Sequence, residues 1–408
     1  MKVLLINPRS PYLENAAAYP PMGLLYVAAA LEREGCKVSL VDLALGKKPY
    51  AYALRKMIPH DTDLIGLTCV TPNVNAVKAI VNLMPKGIPT MVGGIHPTIY
   101  PQETHDYTGC TTVIQGEADC IMRDVVNDLK TGFLNPVYKA NPPQVSDISK
   151  PARHLVNLHA YTPGGERATT IYTSRGCPFS CMFCSKIPNG MYREFPVSRV
   201  IEEVRDVMAL GFKKVVFGDD NLGVNKRRLL DLLGELEPLD IAFRLNMDSR
   251  KPNRAVFEKA ARAGCTDISF GIESGSIHML HSMNKQVSIA ENEESVYLTQ
   301  EYGMKAKAYF MVNFPGETED TVKETLAFAE RVKPDNWLLS SFAPLPGSFV
   351  YNNPALFGIT SMSRNWNDYY LVGKNGSFSP CYTTKHLSYK KQIELHDMMY
   401  NGLKEILG

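Results

Sequence analysis

The sequence predicts an α/β protein in two parts: an N-terminal Rossmann-like doubly wound domain, then a partial (β/α)6 TIM-like barrel with a short C-terminal extension. Three observations predict it. The 408 residues exceed what one core comfortably serves. Short apolar runs alternate with longer helical patterns, the signature of βαβ units and a parallel sheet. A stretch with little periodicity, carrying Pro142, Pro143, Pro151 and Pro163, separates two such series. The expected boundaries are a first domain over 1–136, a linker over 137–167, a barrel over 168–350 and an extension over 351–408.

In the first series, Val3–Asn7 reads as a strand and Gly23–Glu34 as an amphipathic helix closed by Gly35. Strands follow at Val38–Val41, Leu64–Thr68, Pro89–Val92 and Thr112–Ile114, with helices at Val74–Met84 and Glu117–Leu129. Five strands in this span fit an open doubly wound sheet, which binds ligands beyond its strand C-termini. The second series gives strands at Thr169–Tyr172, Lys214–Phe217, Ile241–Arg244, Asp267–Phe270, Lys305–Met311 and Trp337–Ser341. Helices are expected at Arg199–Leu210, Lys226–Leu236, Asn253–Ala263, Ala290–Tyr302 and Glu319–Val332. Six strand–helix repeats fall short of a closed barrel of eight. The extension is rich in Asn, Tyr and Ser before a helix at Lys391–Ile406.

Composition sets limits on function. Apolar residues are 45%, charged residues 21% and the formal net charge is +2, which gives no case for nucleic acid or a membrane surface. The opening MKVLLINPRSPY is too short an apolar run for a signal peptide, and no spanning segment appears. The expected location is the cytoplasm. There a disulfide framework is not expected from the nine cysteines. Cys36, Cys69, Cys110, Cys120, Cys265 and Cys381 are scattered and read as small core hydrophobes.

Cys177, Cys181 and Cys184 are different. They fall at spacings of four and three in TSRGCPFSCMFCSK, directly after an expected barrel strand. Three thiolates so placed can wrap one face of an iron–sulfur cube and leave one iron without a protein ligand. A zinc site completed by a distant residue is the competing reading.

The Cys-x3-Cys-x2-Cys pattern, with Phe183 before the last cysteine, resembles the signature of the radical SAM enzymes. That resemblance implies a [4Fe–4S] cluster whose open iron chelates S-adenosylmethionine (SAM), which is cleaved to a 5′-deoxyadenosyl radical. VVFGDDN resembles the second-strand segment that reaches the methionine amino group, with Asp219 and Asp220 as candidates. Glu273 in GIESGS resembles the ribose contact. Pro315 and Gly316 in NFPGET resemble the turn whose backbone flanks the adenine. Arg244 and Asn246, placed after the fourth strand, are expected near the carboxylate and sulfonium. Each of these alone reads as well as a cap, turn or surface residue; their order makes the case together.

The first domain resembles the cobalamin (B12)-binding domain often fused upstream. The matching segments are AYPPMGLLYVAAALEREG, GLTCVT, VGGIHPT and GEAD. Thr68 and Thr71 can offer hydroxyls, while Gly93, Gly94 and Gly116 permit close approach to a bulky nucleotide tail, with Glu117 beside them. Asp-x-His-x-x-Gly, which supplies a histidine to cobalt, is absent. The resemblance is to the subclass lacking that ligand, and His96 reads as a tail contact or structural residue. A nicotinamide or flavin site is disfavoured, because no Gly-x-Gly-x-x-Gly follows the first strand.

Together the resemblances imply radical C-methylation of an unactivated carbon, one SAM methylating cobalamin and a second generating the radical. The expected substrate is a peptide or protein, with glutamine in methyl-coenzyme M reductase the candidate; a small molecule is the alternative. A non-methylating cyclisation or rearrangement is the other outcome. The expected electron donor resembles ferredoxin or flavodoxin. Tyr309, Met311 and Tyr382 are further candidates to face the cavity.

Overall fold

The computed structural model describes residues 1–10, 12–13, 15–46, 54, 57–162, 165–185, 191–373 and 376–408. Pro163 lies outside the described residues. The chain divides into two compact units. The first is Met1–Glu166 together with Asn365–Tyr369, and the second contains Arg167–Ser185, Met191–Arg364 and Tyr370–Gly408.

In the first unit, β1 (Lys2–Asn7), β2 (Lys37–Asp42), β3 (Leu64–Thr68), β4 (Thr90–Gly93), β5 (Thr112–Gln115) and β6 (Val137–Lys139) form a parallel sheet ordered β2-β1-β3-β4-β5-β6. The period of two in β1 explains why both faces are covered. Val3 and Leu5 enter one core with the helices Met22–Arg33 and Met122–Thr131. Leu4 and Ile6 enter the opposite core with the helix Val74–Val81. Burying each such side chain contributes roughly 1.5–3 kcal/mol. The order reverses direction at β1, so the crevice for a ligand opens beyond the C-terminal ends of β1 and β3.

β6 corrects the expected five strands and the expected linker. It is only three residues long and follows Pro136, too short to show a period, yet Val113 pairs with Val137. The segment after it also packs into the first unit: Ala152 N donates to Leu25 O at 3.0 Å, and Tyr161 Oη donates to Asp42 at 2.8 Å. Two short helices, Ile95–Ile99 and Pro101–Thr108, were not expected because their sequences are polar and proline-bearing. Pro101 is tolerated at a helix start, where its missing N–H has no partner to lose.

The second unit contains β7 (Thr169–Ile171), β8 (Ser174–Arg175), β9 (Arg193–Glu194), β10 (Lys214–Phe217), β11 (Ala242–Met247), β12 (Cys265–Glu273), β13 (Lys305–Val312) and β14 (Asn336–Ser341). Six of these form a parallel sheet ordered β14-β13-β12-β11-β10-β7, with β7 and β14 at opposite edges. The barrel is therefore open. Helices Lys226–Leu236, Arg254–Arg262, Ile289–Glu301 and Glu319–Val332 cover it. Two begin with capping boxes, Ser288 with Glu291 and Thr318 with Thr321, which satisfy orphan N–H groups at the helix starts.

The expected extension is divided. Asn365–Tyr369 joins the first unit, whereas β15 (Ile359–Met362), β16 (Tyr382–Thr384) and the helix Tyr389–Leu407 belong to the second. Among the described residues no helix is long and apolar enough to cross a membrane.

Candidate functional site

The cysteine loop is held at its root by Asp219. This carboxylate, just past β10, is 2% exposed and accepts from the Thr173 N–H at 3.1 Å, the Thr173 hydroxyl at 3.0 Å and the Ser174 hydroxyl. Arg228 adds a bond to Thr173 O at 2.9 Å and one to Phe195 O at 2.7 Å. β8 and β9 then clasp the loop as a short antiparallel ladder.

Farther along, Met182 N donates to Met283 O at 2.9 Å, and Asn284 Nδ2 donates to Ser180 O at 2.8 Å. Arg250 lies over the Phe179 ring, 3.1 Å from its centroid. Phe183 is half-buried within this loop. The loop is thus pinned by several separate elements before any metal is considered.

Cys177 and Cys181 are half-buried and Cys184 is exposed; none of the three is in a disulfide. Burial pushes the Cys177 thiol up, and Asp220, Cys181 and Asp248 push the same way, against a backbone hydrogen bond from Phe179. A thiol so surrounded ionises readily only beside added positive charge, which iron supplies. Among the described residues no three His, Cys, Asp or Glu side chains close around a single ion, the triplet included. A cube takes one thiolate per iron corner, so separated thiols on one pinned loop fit it.

The two expected acids divide. Asp219 is consumed by Thr173 and Ser174, so it positions the loop and is not open to a ligand. Its neighbour Asp220 is exposed to solvent and, among the described residues, has no hydrogen bond or ion pair. It is nevertheless surrounded closely enough that desolvation raises its carboxyl. Sequence alone could not separate two adjacent aspartates of which one is buried and bonded and the other open.

Glu273 sits at the end of β12 with φ 63° and is 8% exposed. Its Oε1 pairs with Lys285 Nζ at 3.1 Å. Gly271 is what makes room: a Cβ there would lie 2.6 Å from Glu273 Oε1 and 2.8 Å from Lys285 Nζ. Lys285 was missed because nothing about a lysine after a helix marks burial. Desolvation lowers its pKa, but Glu273 and then Cys181 outweigh it and the net shift is upward. The lysine stays charged, between a carboxylate and the cysteine loop.

Arg244 and Asn246 are not past a fourth strand. Both lie within β11, the third strand of the barrel, alternating with buried Phe243, Leu245 and Met247. The turn at Pro315 and Gly316 follows β13, where Gly316 has φ 97°. Beside it, Glu317 is buried and burial raises its carboxyl to about 8, against a hydrogen bond from Thr321. Tyr382 is fully buried, 0% exposed, and donates to Asn313 O. Met311 is buried as well, and Tyr309 half-buried.

In the first unit, Thr68 pairs in register with Gly93 at the C-terminal ends of β3 and β4. Gly94 and Gly116 have a structural reason of their own to be glycine. Their φ values are 118° and 102°, and a Cβ would meet Cys69 O and Ala140 O at 2.5 Å. The chain's own backbone, at β3 and after β6, already requires glycine there. Gly93 has ordinary space. Thr98 links the two strand ends, accepting from Gly116 N at 3.1 Å and donating to Gly94 O at 2.7 Å. Glu117 follows this link and leads into the turn Ala118–Cys120.

His96 is 0% exposed. Its Nδ1 is 3.2 Å from the Thr71 hydroxyl, and Nε2 has no hydrogen-bond partner among the described residues. Burial lowers its pKa to about 4. The Trp366 ring packs edge-on at 5.0 Å, its Nε1 donates to Glu103 at 3.1 Å, and Asn75 Nδ2 bonds Asn367 at 2.8 Å. Trp366 was missed because more than two hundred and fifty residues separate it from Glu103. This edge of strand-end hydroxyls, amides and glycine suits a large ligand fringed with neutral amides, as cobalamin is.

The family models agree with this division. Residues 171–329 match the radical SAM superfamily and residues 14–126 match the B12 binding domain. An uncharacterized methyltransferase of Pyrococcus horikoshii is 28% identical over 91% of this chain and 87% of its own. An anaerobic magnesium-protoporphyrin IX monomethyl ester cyclase of Rubrivivax gelatinosus is 25% identical, over 86% of this chain and 69% of its own. The radical SAM methyltransferase TsrM of Kitasatospora setae, solved with tryptophan and a SAM analogue, superposes with a TM-score of 0.78 at 17% identity. That superposition covers 98% of this chain and 89% of TsrM. The shared fold spans both units.

Proposed function

We propose that this cobalamin-binding radical SAM enzyme is a C-methyltransferase acting on an unactivated carbon. Its cofactors are a [4Fe–4S] cluster, SAM and cobalamin. One observation carries the reading: a B12-binding match and a radical SAM match occupy one chain, and a relative spanning nearly all of it is named a methyltransferase. When bound, these groups supply an electron for SAM cleavage and a carrier for the methyl group.

The residues divide the remaining work. Cys177, Cys181 and Cys184 would hold three irons and leave the fourth to SAM. Asp220, open and acidic, suits the methionine ammonium. Glu273 would offer ribose hydroxyls its carboxylate while Lys285 holds that carboxylate in place. The Pro315–Gly316 turn would flank the adenine, with Arg244 and Asn246 on β11 lining the barrel below. At the other cofactor, Thr68, Thr71, Gly93, His96 and Glu117 would line the cobalamin tail. A reducing cytoplasm is the location we assign, in keeping with nine cysteines that form no disulfide among the described residues.

A glutamine in a peptide of methyl-coenzyme M reductase is the first substrate to try, and a ferredoxin or flavodoxin-like protein the donor; both rest on the sequence resemblance alone. The cyclase relative favours a second reading, ring formation without methyl transfer. The test is anaerobic reconstitution with iron, sulfide and hydroxocobalamin, followed by SAM and reductant. Deoxyadenosine and adenosylhomocysteine are measured with and without that peptide. Equal, peptide-dependent amounts of both support methylation. Peptide-dependent deoxyadenosine without adenosylhomocysteine supports the second reading, and no deoxyadenosine with a verified cluster sinks both.

A further inference from the structure

Strand alternation sorts the barrel residues into two faces. On β12 and β13, Phe270 packs on Phe257 and Phe310 on Phe328, each with centroids 6.4 Å apart, toward the covering helices. Asp267, Ser269, Lys307 and Tyr309 therefore point the other way, into the barrel. On β11, Phe243 packs against Phe217 at 5.4 Å, which leaves Arg244 on the inner face. Lys214 of β10 reaches Asp267 Oδ2 at 3.3 Å and so shares that face.

By the same alternation the inner face carries Lys214, Arg244, Lys305 and Lys307 against the carboxylates of Asp267 and, farther along β12, Glu273. Asp267 is already engaged by Lys214 and by the Thr266 hydroxyl, and Glu273 by Lys285. Among the described residues the Lys307 ammonium makes no hydrogen bond or ion pair; it lies 5.4 Å from the Tyr309 ring centroid. Desolvation lowers its pKa most, Arg244 lowers it further, and Asp267 offsets part. An ammonium losing water beside a second cation is unfavourable unless an anion arrives. Solvent reaches the face, since Lys307 and Arg244 are themselves only half-buried.

We infer that the inner face of the barrel binds a carboxylate or phosphate group of the substrate, through Lys307 with Arg244 beside it. Assigning the anion to the substrate rests on the enzyme reading above; the anion site does not. The same chemistry could come from the methionine carboxylate of SAM, and the experiment separates the two.

The probe is radiolabelled inorganic phosphate in equilibrium dialysis against the reconstituted holoenzyme, with and without saturating SAM. One phosphate per chain is expected, bound equally with SAM present. Lys307→Gln should weaken it by about ten-fold or more, the scale of one charge-assisted contact. Lys307→Arg should retain binding, and Lys323→Gln, on the exposed side of the helix Glu319–Val332, should not alter it. Absence of phosphate binding to wild type, or unchanged binding to Lys307→Gln, overturns the site. Displacement of phosphate by SAM overturns its assignment to substrate. Adenosylhomocysteine yield is not read here, so failure of the methyltransferase reading would show in its own assay.

Discussion

The carboxylate of Asp219 accepts both the backbone N–H and the hydroxyl of Thr173, and through them fixes the path of the chain just ahead of Cys177. It belongs to β10's end and its partner to the turn after β7, so the contact joins neighbouring barrel strands at the mouth of the cysteine loop. Burial alone would raise this acid, and the hydrogen bonds from Ser174 and Thr173 and the charge of Arg228 oppose that. The loop's shape is thus built into the protein scaffold.

Removing that carboxylate should be felt in the cluster before it is felt in SAM. Asp219→Ala strands buried donors on Thr173 and Ser174, at a cost of about 2–4 kcal/mol. Iron bound per chain after reconstitution should fall, and the denaturant midpoint with it. Asp220→Ala should leave the midpoint within about 0.5 kcal/mol and keep the iron, while weakening SAM binding. If both variants retain iron and stability alike, the division of labour between the two aspartates is wrong.

Lys285 and Glu273 should behave as a unit. Lys285→Ala leaves a buried carboxylate unpaired, worth about 3–5 kcal/mol of destabilisation. Gly271→Ala tests the same pair without touching either charge, because its methyl would collide with both groups. Both variants should bind SAM at least about ten-fold more weakly while the absorbance of the cluster is kept. A Gly271→Ala protein with wild-type SAM affinity would remove the pair from the SAM site.

The sequence made most of the second unit legible. Lys226–Leu236 and Glu319–Val332 were expected with the bounds they have, because apolar residues recur at helical spacing between clear stop signals. The cysteine loop was legible because its chemistry is local. What escaped was non-local: β6, recognisable only through its pairing with β5; Lys285, buried by its distance to Glu273; and the Asn365–Tyr369 segment beside His96. The two glycines at 94 and 116 were found, but their reason was not. Their near neighbours are Cys69 and Ala140 backbone, which no spacing rule reveals.

Glu317 should hold its proton at neutral pH. Its folded pKa, about 8, lies above the ordinary glutamate value. Its contribution is therefore fully present below the unfolded pKa and declines as pH rises from about 4.5 to about 8. Glu317→Gln mimics the protonated form and can still accept from Thr321. It should come closest to wild type near pH 4 and exceed it near pH 8 by about 2 kcal/mol or more. Denaturant midpoints at the two pH values decide it, and parallel curves would mean the acid is ionised in the folded chain.

His96 should give the opposite slope. Its pKa is lowered to about 4 by burial, so the unfolded chain binds the proton first as pH falls below about 6.5. Stability from neutral His96 is complete above the unfolded value and is lost progressively down to about pH 4. The loss amounts to about 3 kcal/mol over that window. His96→Asn removes the titration, so the fall in melting temperature between pH 7 and pH 5 should be smaller than in wild type. Trp366→Ala opens the enclosure without removing the imidazole, and it should raise the pKa toward 6.5 and shrink the same fall. It should also weaken cobalamin retention, measured by absorbance after gel filtration, if the Trp366 segment shapes the strand-end site. Should Trp366→Ala leave both the pH dependence and the cobalamin content of the chain unchanged, the segment only covers the histidine and has no part in the cofactor's pocket.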